Sequence, residues 1–180
     1  MKIKNIFKEL LFLFFGLVGA ISGISQEVYE HQYLVKVGDE APDFETHLSD
    51  GSSFRLSENR DKVVMLQFTA SWCSVCRKEM PYIENDIWKE LQDEDFIVIG
   101  MDYKEEAEKV MAFAKDMNIT YLLGLDETGE IFHKYALEGA GVTRNIIIDK
   151  SGKIIFLTRL FEKKEFDAMK KVIFKEVRSQ

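Results

Sequence analysis

Apolar residues along the chain fall into two patterns, which predict strands and helices respectively. Short continuous apolar runs, typical of buried strands, lie at residues 63–69, 96–101, 120–123, 145–149 and 153–160. Apolar positions spaced by three and four, typical of helices with one buried face, follow residue 76 and recur at 105–117, 131–137 and 165–178. Asp50-Gly51 and Lys150-Ser151-Gly152 predict hairpin turns. This order predicts an α/β fold with a mixed central sheet, helices on both faces and an N-terminal β-hairpin.

Residues 1–25 differ from everything after them. Three lysines precede an apolar run at residues 10–21, and small residues follow at Gly23 and Ser25. This layout predicts a secretory signal peptide cleaved after Ser25, because the run is shorter than the ~20 residues that span a bilayer. An uncleaved membrane anchor is the alternative. We therefore divide the chain into a signal peptide (1–25), a lead-in segment (26–36) with a strand near 33–37, and one domain (37–180).

The charge of the chain argues against nucleic acid as a partner. Its net charge is −7, and loss of residues 1–25, with three lysines and one glutamate, makes it −9. Binding to phosphates needs clustered lysines and arginines, and a surface with a net negative charge argues against it.

Cys73 and Cys76 are the only cysteines, and they lie between a predicted strand and a predicted helix. Unpaired N–H groups and the helix dipole at a helix N-terminus favour a thiolate. Cys73 is therefore the expected attacking sulfur, at an exposed position, and Cys76 is close enough to form a disulfide with it. Two buried thiols or half of a zinc site are the alternatives. Zinc takes about four ligands, and the three histidines are scattered, so we predict no metal.

Residues 68–81, Phe-Thr-Ala-Ser-Trp-Cys-Ser-Val-Cys-Arg-Lys-Glu-Met-Pro, resemble the active site of the thioredoxin superfamily. They are most similar to the branch of secreted or membrane-tethered thiol-disulfide oxidoreductases typified by TlpA and ResA, which is related to the peroxiredoxins. The opening Gly-x-x-Ala-Pro-Asp-Phe at residues 38–44 is similar to the same group. The resemblance covers about residues 37–176. It implies a thioredoxin fold in which an inserted strand and helix occupy residues 102–125.

The resemblance also implies roles for single residues. Glu79, one turn after Cys76, matches a glutamate that exchanges protons with the thiols, and Gln67 replaces the buried acid of cytoplasmic thioredoxins. Trp72 is expected to be partly exposed, to shield the disulfide and to contact the partner. Val142 and Thr143 match the Val-Pro of the substrate-binding loop. Since Thr143 replaces a cis-proline, this loop is expected to be trans or strained.

The function implied is disulfide exchange with protein thiols and disulfides outside the cytoplasm, without a bound cofactor. For relatives of this kind the resemblance implies a bacterial periplasm, an electron donor in the membrane or periplasm, and tasks such as cytochrome c maturation. Two rivals remain open. Arg144 resembles the arginine of peroxiredoxin-like peroxidases, and the two thiols would also suit a metal chaperone or binding module.

Overall fold

The computed structural model describes residues 29–179, which form two β-sheets. A small antiparallel sheet contains β1 (Glu45–His47) and β2 (Ser53–Arg55). The large sheet contains β3 (Val63–Thr69), β4 (Phe96–Tyr103), β5 (Leu122–Asp126), β6 (Arg144–Ile148) and β7 (Ile154–Arg159). Its strand order is β5-β4-β3-β6-β7. β3, β4 and β5 are parallel, whereas β6 is antiparallel to both β3 and β7.

Four helices lie in the connections between strands of the large sheet, and a fifth follows β7. They are α1 (Ser74–Ile83), α2 (Lys89–Leu91), α3 (Ala107–Met117), α4 (Phe132–Tyr135) and α5 (Lys163–Val177). A π-helical turn at Glu84–Trp88 joins α1 to α2. Single 3₁₀ turns lie at Glu30–Gln32 and Leu56–Asn59. Within residues 29–179, no helix is both long and apolar enough to cross a bilayer.

The central strand β3 explains the continuous apolar run, because all seven of its residues are buried. Val64, Leu66 and Phe68 pack on one face of the sheet in a cluster that also contains both cysteines. Val63 and Met65 pack on the other face, against α1, α3 and α5. A strand covered on both faces needs apolar residues at every position. Its carboxyl end leads directly to the cysteines.

The predicted thioredoxin-like fold is confirmed, and both predicted hairpins form. Gly51 and Gly152 have φ values of 87° and 91° in their turns, a region that favours glycine. α3 and the edge strand β5 lie within or overlap residues 102–125, where the resemblance implies an insertion.

Two expectations about local structure were wrong. The strand predicted at 120–123 begins at Leu122, because the N–H and hydroxyl of Thr120 bind the Glu84 carboxylate instead of a neighbouring strand. No strand forms at 33–37 either. Tyr33 makes only an isolated bridge to Ala136, and the preceding residues His31 and Gln32 have φ values of 58° and 63°, which interrupt extended backbone. The predicted signal peptide lies outside the described residues, and the division into segments stays a prediction.

Candidate active site

The loop between β3 and α1 presents the two cysteines. The Cys73 N–H donates to Ala70 O at 3.0 Å, which closes a tight turn after the strand. Cys73 is the N-cap of α1, and its Sγ accepts the Cys76 N–H at 3.1 Å. A thiolate at Cys73 would therefore be stabilised by this N–H and by the positive end of the helix.

Cys73 and Cys76 are joined in a disulfide with their Cα atoms 5.3 Å apart. Cys73 retains 7% of its surface exposed and Cys76 none, so the expected exposure of Cys73 was overstated. The two sulfurs belong to the apolar cluster on one face of the sheet. The neighbouring Trp72 is 62% exposed, as expected for a side chain that contacts a partner. Its role stays a prediction.

The loop before β6 lies directly against the disulfide. Thr143 Oγ1 is 3.2 Å from Cys73 Sγ and 3.4 Å from Cys76 Sγ, and Val142 packs in the same apolar cluster. Of the two conformations considered for the Val142–Thr143 bond, the structure has the trans form, since none of the described peptide bonds is cis. The backbone here is thus unlike a cis-proline loop, whereas its place beside the cysteines matches the expectation.

Glu79 lies one turn after Cys76 on α1 and is buried, with 1% of its surface exposed. Its Oε1 accepts a hydrogen bond from Asn145 Nδ2 at 2.7 Å, and Asn145 also donates to Thr158 Oγ1. Glu79 Oε2 and Gln67 Nε2 are also buried and make no hydrogen bond of good geometry within residues 29–179, but the Gln67 amide lies close enough to lower the pKa of Glu79. Glu79 is therefore an interior acid in a small polar pocket, not a solvated charge beside Arg77 and Lys78.

Burial raises the pKa of Glu79 to about 7, and the hydrogen bond from Asn145 acts against that shift. An acid with this pKa is close to half-ionised at neutral pH. Such a group can both accept and return a proton under physiological conditions.

A second acid near the cysteine loop was missed by the sequence analysis. Asp102 lies beside Thr69 at the carboxyl end of β4 and is fully buried, and no N–H or hydroxyl of the described chain donates to its oxygens. In its protonated form it donates to the Glu105 carboxylate. Burial and the nearby charge of Glu105 raise its pKa to about 8. Glu105 in turn accepts the N–H and the hydroxyl of Ser71, at 2.6 and 2.8 Å, and pairs with Lys109. This acid pair holds the residue that precedes Trp72.

Arg144, the residue that resembles a peroxidatic arginine, is fully buried. Its Nε donates to Gly141 O at 3.0 Å and its Nη2 to His31 O at 2.6 Å. Its guanidinium lies 4.4 Å above the Tyr33 ring. These contacts tie the Thr143 loop to the lead-in segment.

The structure thus brings Trp72, Cys73, Cys76, Glu79 and Thr143 to one end of the central sheet. Asn145 could have been recognised in the sequence, because it is a polar residue directly before three isoleucines in a predicted buried strand. Nothing in the sequence pattern distinguishes Asp102 from an ordinary acid at the end of a strand.

Comparisons with known proteins agree on one group of relatives. The Redoxin family matches residues 36–173. Thiol-disulfide oxidoreductase ResA of Bacillus thuringiensis is 28% identical over 155 residues, which cover 86% of this chain and 87% of the relative.

Two solved structures are similar to the chain in both sequence and fold. A protein proposed to be a protein disulfide isomerase from Bacteroides thetaiotaomicron is 53% identical, with a TM-score of 0.80, over 82% of this chain and 94% of that one. A proposed thiol:disulfide interchange protein DsbE from Chlorobium tepidum is 26% identical, with a TM-score of 0.70, over 79% and 99%.

Proposed function

Because the chain belongs to the Redoxin family, we propose that it is an extracytoplasmic thiol-disulfide oxidoreductase that exchanges disulfides with protein partners through Cys73 and Cys76. The predicted membership of the thioredoxin superfamily is confirmed. The relatives named as thiol-disulfide oxidoreductases support the reaction class. One observation carries the assignment to these residues: the disulfide lies at the N-terminus of α1, next to a buried acid whose pKa is about 7.

The reaction starts from the reduced protein when it acts as a reductant. Cys73 thiolate attacks one sulfur of the partner disulfide and forms a mixed disulfide, and the other partner sulfur leaves as a thiolate and takes up a proton. Cys76 then loses its proton to the Glu79 carboxylate and attacks Cys73 Sγ. The Cys73–Cys76 disulfide forms, and the second partner sulfur leaves. Two electrons pass from the protein to the partner.

In the opposite direction the same groups exchange roles. A partner thiolate attacks Cys73 Sγ, the Cys73–Cys76 bond breaks, and Cys76 leaves as a thiolate that takes a proton from Glu79. The partner's second thiolate then displaces Cys73. An acid that is half-ionised near neutral pH serves both directions.

The partner is expected to dock on the surface around the disulfide. Trp72 and Leu160 are exposed large apolar side chains, at 62% and 48%. Leu160 N donates to Thr143 O, so this residue lies beside the loop that contacts both sulfurs. An extended segment of a partner protein suits this surface. Its side chains can cover Trp72 and Leu160 while the partner's own cysteine sulfur reaches Cys73.

The proposed compartment rests on residues 1–25. Their basic start, short apolar run and small residues at positions 23 and 25 are typical of a signal peptide. An oxidising compartment such as a bacterial periplasm is also where disulfide exchange between proteins takes place. An electron donor in the membrane or periplasm would return the pair to the thiol state when the protein acts as a reductant, as it would in cytochrome c maturation.

Trapping experiments test the reaction. In Cys76→Ser the second attack is impossible, so mixed disulfides between Cys73 and partner proteins should accumulate in cells treated with acid and an alkylating agent. Non-reducing gels and mass spectrometry should identify them. Cys73→Ser should trap few or none, because Cys76 is fully buried.

The matched pair of variants makes the result decisive. Equal trapping by both variants would contradict the assignment of Cys73 as the attacking sulfur. Absence of trapping by either variant, together with peroxide-dependent oxidation of the wild-type protein, would favour the peroxidase instead.

A further inference from the structure

Thr143 is the side chain that touches both reacting sulfurs. Its Oγ1 lies 3.2 Å from Cys73 Sγ and 3.4 Å from Cys76 Sγ, and the residue is 3% exposed. In the disulfide neither sulfur carries a proton, so the hydroxyl must be the donor in both contacts. Sulfur is a weak acceptor in this state, and it becomes a much stronger one as a thiolate.

The backbone around Thr143 fixes this geometry. Its carbonyl oxygen accepts the Leu160 N–H at 3.2 Å and Arg159 Nη1 at 3.3 Å, and β6 begins at the next residue. Only rotation of the side chain and of the hydroxyl remains free. Within residues 29–179, the hydroxyl has no hydrogen-bond partner other than the two sulfurs.

The donors to the two sulfurs are unequal. Cys73 Sγ accepts from the Cys76 N–H and from Thr143, whereas in the described chain the hydroxyl of Thr143 is the only hydrogen-bond donor to Cys76 Sγ. Negative charge moves from one sulfur to the other during exchange, since Cys73 attacks first and Cys76 attacks second. A rotatable hydroxyl between them can follow that charge, which a fixed backbone N–H cannot.

Resting on the proposed function, we infer that the Thr143 hydroxyl is a catalytic hydrogen-bond donor that stabilises whichever of the two sulfurs is the thiolate. In the first step it donates to Cys73, and it turns to Cys76 when Glu79 removes the Cys76 proton. A proline at this position would have no hydroxyl to donate. The donor also stabilises the dithiol state relative to the disulfide, so it makes the pair a stronger oxidant.

The test compares Thr143→Val, which removes the hydroxyl at similar volume, with Thr143→Ser, which retains it. In reduced Thr143→Val, the midpoint of the pH profile of Cys73 alkylation should rise by about one pH unit, because a hydrogen bond to a charged group is lost. The equilibrium constant with glutathione should shift about tenfold towards the disulfide, which is about 30 mV towards a stronger reductant. In Thr143→Ser, the alkylation midpoint and the equilibrium constant should both stay close to the wild-type values, with shifts of no more than about a third of those in Thr143→Val.

Thr69→Val is the control for removal of a buried hydroxyl near the same loop, since Thr69 Oγ1 contacts Met80 Sδ instead of a cysteine. It should leave the alkylation midpoint unchanged. A Thr143→Val profile identical to that of the wild-type protein, or equal shifts in the Val and Ser variants, would overturn the inference and leave Thr143 a steric role. If Thr143→Val fails to fold, Thr143→Ala against Thr143→Ser decides in the same way.

The failure of this inference can be separated from the failure of the proposed function. If the wild-type disulfide does not exchange with glutathione or with proteins, the proposed function is wrong, but the alkylation profile of Cys73 still tests the hydroxyl. If exchange occurs and the profile is insensitive to the hydroxyl, only the inference is wrong.

Discussion

Glu79 and Asp102 are two of the buried carboxyl groups at the active-site end of the central sheet, and their surroundings differ. Glu79, on α1, has one oxygen bound to the Asn145 amide and lies in a pocket with Gln67 and Thr158. Asp102, at the end of β4, has no N–H or hydroxyl donor among residues 29–179 and lies against the charged Glu105, to which its protonated form donates. Burial raises the pKa in both cases, to about 7 for Glu79 and to about 8 for Asp102.

The difference indicates two separate uses of a buried acid. An amide donor favours the carboxylate, so Glu79 is kept close to the point where it can gain or lose a proton at neutral pH. A neighbouring carboxylate favours the protonated acid, so Asp102 stays neutral while Glu105 stays charged. Hydrogen bonds from Lys109 and Ser71 lower the pKa of Glu105 although burial acts to raise it. Glu79 is thus suited to proton transfer, and the Asp102–Glu105 pair to holding Ser71.

The largest expected effect follows removal of the Glu79 carboxylate. In Glu79→Gln no base takes the proton from Cys76, and general-base catalysis contributes ~10²-fold or more to such a step. The second attack should therefore slow by about 100-fold at pH 7.5, and the rise in rate through pH ~7 should disappear. Oxidation of the reduced protein by oxidised glutathione measures this directly, because the mixed disulfide of Cys73 with glutathione should accumulate and is visible by intact mass.

Glu90→Gln is the matched control, since Glu90 is exposed at the end of the same helical segment. It should behave as the wild-type protein does. If Glu79→Gln keeps the wild-type pH profile and accumulates no mixed disulfide, Glu79 has no part in proton transfer. Glu79 and Asp102 would then differ in their surroundings but not in function.

The sequence predicted the strand and the cysteines of the active site better than the contacts of the two buried acids. β3 was predicted with its correct limits, because a strand covered on both faces is mainly apolar, and the one large polar residue within it, Gln67, is buried in the Glu79 pocket. The cysteine pair followed from its spacing at a predicted helix start, whereas Glu79 came from the resemblance to the TlpA and ResA branch, and its role stays a prediction. The hydrogen bond from Asn145 to Glu79 did not, because Asn145 lies 66 residues further along the chain and only the pairing of β6 with β3 brings it to the active site. The group that acts on Asp102 is Glu105, three residues away, and nothing in the sequence pattern shows that Asp102 is buried.

The predicted start of β5 was wrong because a side chain binds the backbone that was expected to join the sheet. Thr120 binds Glu84, so β5 begins two residues after the predicted start. The exposure of Cys73 was overstated because a distant part of the chain covers it. A cysteine at a helix start is expected to be open to solvent, but the loop that ends at Thr143 covers it, and that loop is about 70 residues away along the chain.

A smaller effect is expected from Asp102, and it concerns stability. The pKa of Asp102 rises from an ordinary 3.8 to about 8 in the folded protein. Between these two pH values the folded state holds a proton that the unfolded chain releases, so the free energy of unfolding contributed by Asp102 falls as the pH rises through this window. Asp102→Asn imitates the protonated acid and removes that loss. At pH 8.5 the variant should be more stable than the wild-type protein, and the difference should become small at pH 4.

Urea unfolding of the oxidised protein between pH 4 and pH 9 measures the difference. Asp93→Asn removes an exposed acid and serves as the control for the loss of one negative charge. Stability curves for Asp102→Asn and the wild-type protein that run parallel over the whole range would show that Asp102 is ionised in the folded state, and its supposed contrast with Glu79 would be wrong.

The smallest expected effect concerns the amide that distinguishes Glu79 from Asp102. Asn145→Leu fills a similar volume without a donor, so Glu79 loses the hydrogen bond that lowers its pKa most and keeps only the influence of the Gln67 amide. Its pKa should then rise above about 7 by roughly one unit, and the pH midpoint of glutathione-driven oxidation should move by the same amount. Thr158→Val is the control, because it removes the other contact of the Asn145 amide and leaves the bond to Glu79 in place. A midpoint that moves equally in both variants would assign the shift to general loosening of the pocket. A midpoint that stays near 7 in Asn145→Leu would mean that the Asn145 amide does not affect the pKa of Glu79 and does not account for the difference between the two acids.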